Sequence, residues 1–144
     1  MAEGYVGVKP VRIWLSRLLI AIVTVWNVQA AVVFILSPCS FVHAYELSGA
    51  PGEAAVRGVG VLFLMWNVPY VFAAIHPIRY RLGLVFALWM QLTGLIGESY
   101  IYSTLTAGHE ILKSSILRFI IFDGAGLVLL LCAWLLVRKL DDTP

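Results

Sequence analysis

Four stretches of the chain are nearly free of charge, at about residues 16–36, 57–75, 82–98 and 116–137. Crossing the hydrocarbon of a bilayer takes ~20 mostly apolar residues in a helix. Each stretch meets or approaches that length, and the third, the shortest, ends on Glu98. Pro38 and Pro77 close the first two runs, since proline cannot continue a helix without losing a hydrogen bond. Between the runs lie a turn-rich segment at 37–56, a tight basic turn "HPIRYR" at 76–81 and a mixed connection at 99–115. The last of these has room for a short surface helix around "AGHEILKSS". The pattern predicts an all-α, polytopic membrane four-helix bundle formed as one domain by residues 1–144.

The polar positions inside the runs carry more information than the apolar ones. "VTVWNVQAAVVF" at 23–34 and "LFLMWNVPYVFA" at 62–73 share a Trp-Asn-Val, and an offset of 40 also brings Arg17 onto Arg57. An unpaired amide in lipid is costly, so such side chains turn toward neighbouring helices. Asn27 and Asn67 are therefore expected to bond helices 1 and 2 together. Pro69 frees the Met65 carbonyl one turn earlier, a possible acceptor. On the third run Ala87, Gln91, Gly94 and Glu98 fall at i, i+4, i+7 and i+11, one helical face of small and polar residues. The fourth run repeats the theme with Asp123, Gly126 and Ala133.

Composition agrees with this reading. The chain is 61% hydrophobic and only 12% charged, where a soluble domain carries about a quarter. A net charge of +2 gives no basis for nucleic-acid binding. His43, His76 and His109 are scattered among the connections and show no metal-ligand spacing. Cys39 and Cys132 form no Cys-x-x-Cys, and their expected positions at the surface and within the bilayer keep them from pairing. The first run is long for a signal peptide and contains Asn27 and Gln29, so it is read as a retained span. Lys9, Arg12, Arg17, Arg79, Arg81, Arg138 and Lys139 fall on one side of the predicted membrane, against Arg57, Lys113 and Arg118 on the other. The positive-inside rule then places both termini in the cytoplasm.

Asp123 stands inside the fourth run, and a carboxyl at that depth is a functional candidate by default. Topology brings Glu98, Arg118 and Asp123 to similar outer depths, with Arg57 in the same layer and His43 in the loop above. One expectation is an ion-pair network in which the arginines neutralise the acids. The other is a cavity in which Glu98 or Asp123 acts as an acid/base on a bound lipophile. The almost wholly apolar inner halves of helices 3 and 4 argue against a transport path.

Arg57-Gly58 opening the second helix, the turn Pro77-Ile78-Arg79 and Asp123 early in the last helix resemble small four-helix bacterial membrane proteins of the DoxX-like kind. That resemblance implies a multi-pass protein of the bacterial inner membrane, associated with a quinone or with a partner protein, and it transfers no catalytic residue. In layout the chain is also similar to sterol-isomerase-type four-helix bundles, which hold acids in a lipid-facing cavity. The expectation is thus a bilayer protein that binds a small lipophile or serves as an accessory subunit of a membrane complex. The alternative is an enzyme acting through Glu98 or Asp123 on a lipid, sterol or quinone. No cofactor is evident from the residues, and quinone enters through the resemblance.

Overall fold

The computed structural model describes residues 3–138 and 140, with side chains from Pro10 onward. Lys9 and Lys139, counted among the cytoplasmic cations, have side chains outside the described residues. Four helices follow one another: α1 (Glu3–Leu36), α2 (Gly49–Ile75), α3 (Arg81–Thr104) and α4 (Glu110–Val137). All four are long and apolar enough to cross a membrane. Successive helices pack side by side, and α1 closes the ring against α4. The start of α1 and the end of α4 consequently lie at the same end of the bundle, here called the basic end. The opposite, loop end carries two 3₁₀ turns, Pro38–Ser40 and Val42–Tyr45, together with the α3–α4 connection.

Every helix extends beyond its apolar run. An apolar window stops at the first charge, whereas backbone hydrogen bonding does not. α1 continues back past Arg17 and Arg12, with Pro10 inside it. α2 begins at Gly49, and the "GAPGEAAV" expected as a loop forms its first turns. Pro51 is tolerated there because the first helical N–H groups have no intrahelical partner. α3 runs six residues past Glu98, from Glu98 to Thr104. The expected surface helix around "AGHEILKSS" is instead the opening of α4. Asp123 therefore lies 13 residues after Glu110, about 20 Å along the axis at 1.5 Å per residue. That is far deeper than the turn and a half expected from counting at Arg118.

The core is built from small and branched residues close to the bundle axis. Ile20, Val23, Leu84, Ala87, Leu130 and Ala133 are all fully buried. At the basic end Ser16 Oγ donates to the Ala133 carbonyl at 3.1 Å, joining α1 to α4. Arg17 Nε donates to the Ala74 carbonyl at 3.0 Å, which satisfies one of the last carbonyls of α2. α1 and α2 approach so closely at Gly60 that a Cβ there would lie 2.9 Å from the Ala31 carbonyl oxygen. Large apolar side chains such as Trp14, Met65, Leu82, Trp89 and Ile121 face outward, each more than 60% exposed. In water so much outward apolar surface would invite association; against acyl chains it is matched to its surroundings.

Candidate functional site

A line of polar groups crosses the interior from α2 through α3 to α4. The Tyr70 hydroxyl lies 2.8 Å from Gln91 Oε1 and 3.1 Å from the Ala87 carbonyl oxygen. Gln91 Nε2 donates to Asp123 Oδ1 at 2.9 Å and to the Asp123 carbonyl at 3.3 Å. Tyr70 and Gln91 are 2% and 3% exposed, so the bonds form away from competing water or headgroups. Two glycines make room for this line. A Cβ on Gly126 would lie 2.6 Å from Gln91 Nε2, and one on Gly94 would overlap Asp123 Oδ2. The small-and-polar faces of α3 and α4 thus meet, and their glycines stand where the side chains cross.

Asp123 lies opposite Gly94, one turn deeper than Glu98. Glu98 remains within electrostatic reach of Asp123 and of the Tyr45 phenol. Burial first, and then the Glu98 carboxylate, push the Tyr45 phenol above its ordinary pKa. The arginines do not join the acids. Arg57 pairs with Glu53 one turn earlier on α2 at 3.6 Å. Arg118 Nη2 meets Ser114 Oγ at 3.5 Å and touches no carboxylate among the described residues. The expected ion-pair network is therefore replaced by a neutral donor, Gln91, on Asp123. An i,i+4 partner on the same helix costs a surface arginine less side-chain freedom than reaching an acid across the bundle.

The two asparagines also depart from expectation. Asn67 is buried, but its Nδ2 donates to the Phe63 carbonyl of its own helix at 2.6 Å, and its Oδ1 has no partner. Asn27 is half-buried and forms no side-chain hydrogen bond among the described residues. A helical side-chain amide can reach the carbonyl one turn before it, and at Asn67 that bond takes the place of one between helices. His43 is exposed in the loop, apart from the acids, and its ring makes no hydrogen bond among the described residues. Cys39 and Cys132 are both free.

The structure adds three features that sequence reading missed. Tyr70 is the α2 end of the polar line, and its place three residues after Asn67, on the same inward face, was the available signal. Glu46 is the second. It adopts the left-handed conformation at φ 53° and reaches across to the start of α4. There its Oε2 lies 2.5 Å from His109 Nδ1, and its Oε1 accepts from the Leu112 N–H at 3.3 Å. The third is a cavity of about 630 Å³ between α1, α4 and the 41–45 segment.

Phe34, Phe41, Tyr45, Phe119 and Phe122 supply aromatic walls to this cavity, and Trp26 packs against Phe122 at a tilt of 44° with centroids 5.9 Å apart. Its rim includes Trp26 and Ile121, both mid-helix and 38% and 63% exposed, so the mouth opens on the flank of the bundle. Gln29 on α1, Tyr45 in the 41–45 segment, and Ser115 and Arg118 on α4 bring polar groups to the lining, with the Ser115 hydroxyl donating to the Ile111 carbonyl of its own helix at 3.2 Å. Neither Glu98 nor Asp123 lines the cavity, although Tyr45 belongs to its wall and also feels Glu98.

The fold defines a class: a multi-pass, all-α membrane protein with four spanning helices. Beyond the class, no family model, no curated protein and no solved structure matches the chain.

Proposed function

We propose that this protein binds a small lipophile in the flank cavity between α1 and α4. The observation that carries the reading is the cavity itself. Its volume of about 630 Å³ is that of ordinary small-molecule sites. Its walls are mostly apolar and rich in aromatic rings, with few polar groups, and its mouth opens where acyl chains would lie. Binding is favoured over acid/base chemistry because the candidate acids stand outside the cavity and Asp123 already accepts from Gln91.

The basic end, with Arg12, Arg17, Arg79, Arg81 and Arg138, belongs in the cytoplasm by the positive-inside rule. The cavity then lies in the outer half of the membrane. A bacterial inner membrane is where the DoxX-like resemblance points, and a quinone is one lipophile of suitable kind. Impermeant maleimide applied to intact cells tests the orientation. Cys39 should label from outside, whereas labelling only after lysis would reverse the topology.

Native mass spectrometry from lipid nanodiscs tests the function. Wild-type protein should retain one small lipophile, and Ala125→Phe, which fills the cavity from α4, should not. A co-purifying protein chain with an empty cavity would instead favour the accessory-subunit reading.

A further inference from the structure

From Arg118 and Gln29, two of the polar side chains that line the cavity, and resting on the lipophile reading above, we infer that the ligand is an anionic single-chain amphiphile. Its carboxylate or phosphate monoester head would sit on Arg118, and its chain would lie among the aromatic rings.

Arg118 is eight residues into α4, about 12 Å below the helix start. An arginine within a span normally finds an acid, a carbonyl or the headgroup layer. Among the described residues the guanidinium has only the Ser114 hydroxyl, at the outer limit of hydrogen bonding. Toward the loop end, Glu46 is committed to His109 and Leu112, Glu53 to Arg57, and Glu110 to Lys113 at 4.0 Å, while Glu98 forms no ion pair with Arg118 among the described residues. The cavity thus contains a cation lacking an anion, at its polar rim. Gln29 on the facing wall makes no hydrogen bond among the described residues and supplies an amide donor toward the same space.

A guanidinium binds a carboxylate or phosphate by paired N–H donors, and these bonds are roughly twice as strong as neutral ones. The opposite end of the ligand meets Phe34, Phe119 and Phe122 and needs no polar group. A neutral quinone would fill the aromatic walls equally well but leave the guanidinium without its counter-charge. A two-chain phospholipid would place only one chain within about 630 Å³ of space. The chemistry therefore selects one chain and one negative head.

The test uses the full-length protein in dodecyl maltoside with tritiated palmitate, and with lysophosphatidate and decylubiquinone as competitors. Palmitate should bind saturably, one per chain. Lysophosphatidate should compete, and whichever of the two binds tighter assigns the head as carboxylate or phosphate. Decylubiquinone should compete at least about ten-fold less well, the factor expected from losing one charge-assisted hydrogen bond. Arg118→Gln should weaken palmitate by a similar factor and leave decylubiquinone unchanged. Arg118→Lys should keep part of the affinity, and Arg57→Gln, outside the cavity, should change nothing. If decylubiquinone binds as well as palmitate and Arg118→Gln alters neither, the anionic assignment is overturned while lipophile binding stands. If no probe binds, or if those that bind do so equally well to Ala125→Phe, lipophile binding in this cavity falls too. Selectivity among the three probes decides the inference even if Arg118→Gln does not fold.

Discussion

Gln91 and Asp123 meet across α3 and α4, with Nε2 2.9 Å from Oδ1, and Tyr70 closes the other end of the amide at 2.8 Å. The amide donates at one end and accepts at the other, so a single side chain satisfies two buried partners. Gln91→Leu should cost about 1–3 kcal/mol per stranded polar group and lower the melting temperature in detergent clearly. Asp123→Asn keeps an acceptor oxygen for Gln91 and should melt close to wild type. Loss of the fold in Asp123→Asn, with Gln91→Leu harmless, would show that the carboxylate charge rather than the bond matters.

The crossing depends on two missing side chains. Gly94→Ala places a methyl against Asp123, and Gly126→Ala places one against Gln91. Each should destabilise by about 1–3 kcal/mol, the usual cost of overpacking. Gly97 lies on α3 and Gly58 on α2, and a Cβ on either meets nothing within 4 Å. Gly97→Ala and Gly58→Ala should therefore be neutral or stabilising by up to about 1 kcal/mol, because alanine favours helix. Parallel thermal melts of the four variants check this, and equal losses in all four would reject the close-approach account.

The four spans and the small-polar faces were legible because charge depletion and helical spacing are properties of the chain itself. Gln91, Gly94, Asp123 and Gly126 could be placed on facing stripes from their spacing alone. Helix ends were not legible, since "GAPGEAAV" and "EILKSS" are polar enough to read as loop but form the first turns of α2 and α4. Partner choice was least legible. Arg57 and Arg118 lay in the right layer for the acids, but spacing along a helix does not say which way a long side chain turns. The cavity arises where the 41–45 segment folds back over α1 and α4, a tertiary event with no local signature.

Glu46 fastens that segment to α4, and hydrogen bonding to His109, the largest cause, holds its carboxyl below the usual 4.5. The Leu112 N–H and the His109 charge act in the same direction. For a depressed carboxyl the stabilisation is complete above the unfolded pKa and fades as pH falls through the folded one. Wild type should thus melt higher than Glu46→Gln at pH values above about 4.5. The gap should shrink progressively as the pH drops below that value. A gap that widens on acidification would show that the contact is not made by the ionised carboxylate.

Asn67 presents the opposite situation to Gln91, since its buried Oδ1 has no partner and its Nδ2 bonds only within α2. Leaving such an acceptor unsatisfied costs about 1–3 kcal/mol, which an apolar residue of similar shape would avoid. There is room for one: Asn67 borders a hollow of about 260 Å³ lined by Val28, Leu64 and Val68. Leucine could extend into that hollow without displacing α1. Asn67→Leu gives up only the bond to the Phe63 carbonyl of its own helix and should therefore raise the melting temperature in detergent or leave it unchanged, and Asn27→Leu, which breaks no side-chain bond among the described residues, should be similarly mild. A fall of several degrees in the Asn67 variant would mean that the amide serves a bond between α1 and α2 after all.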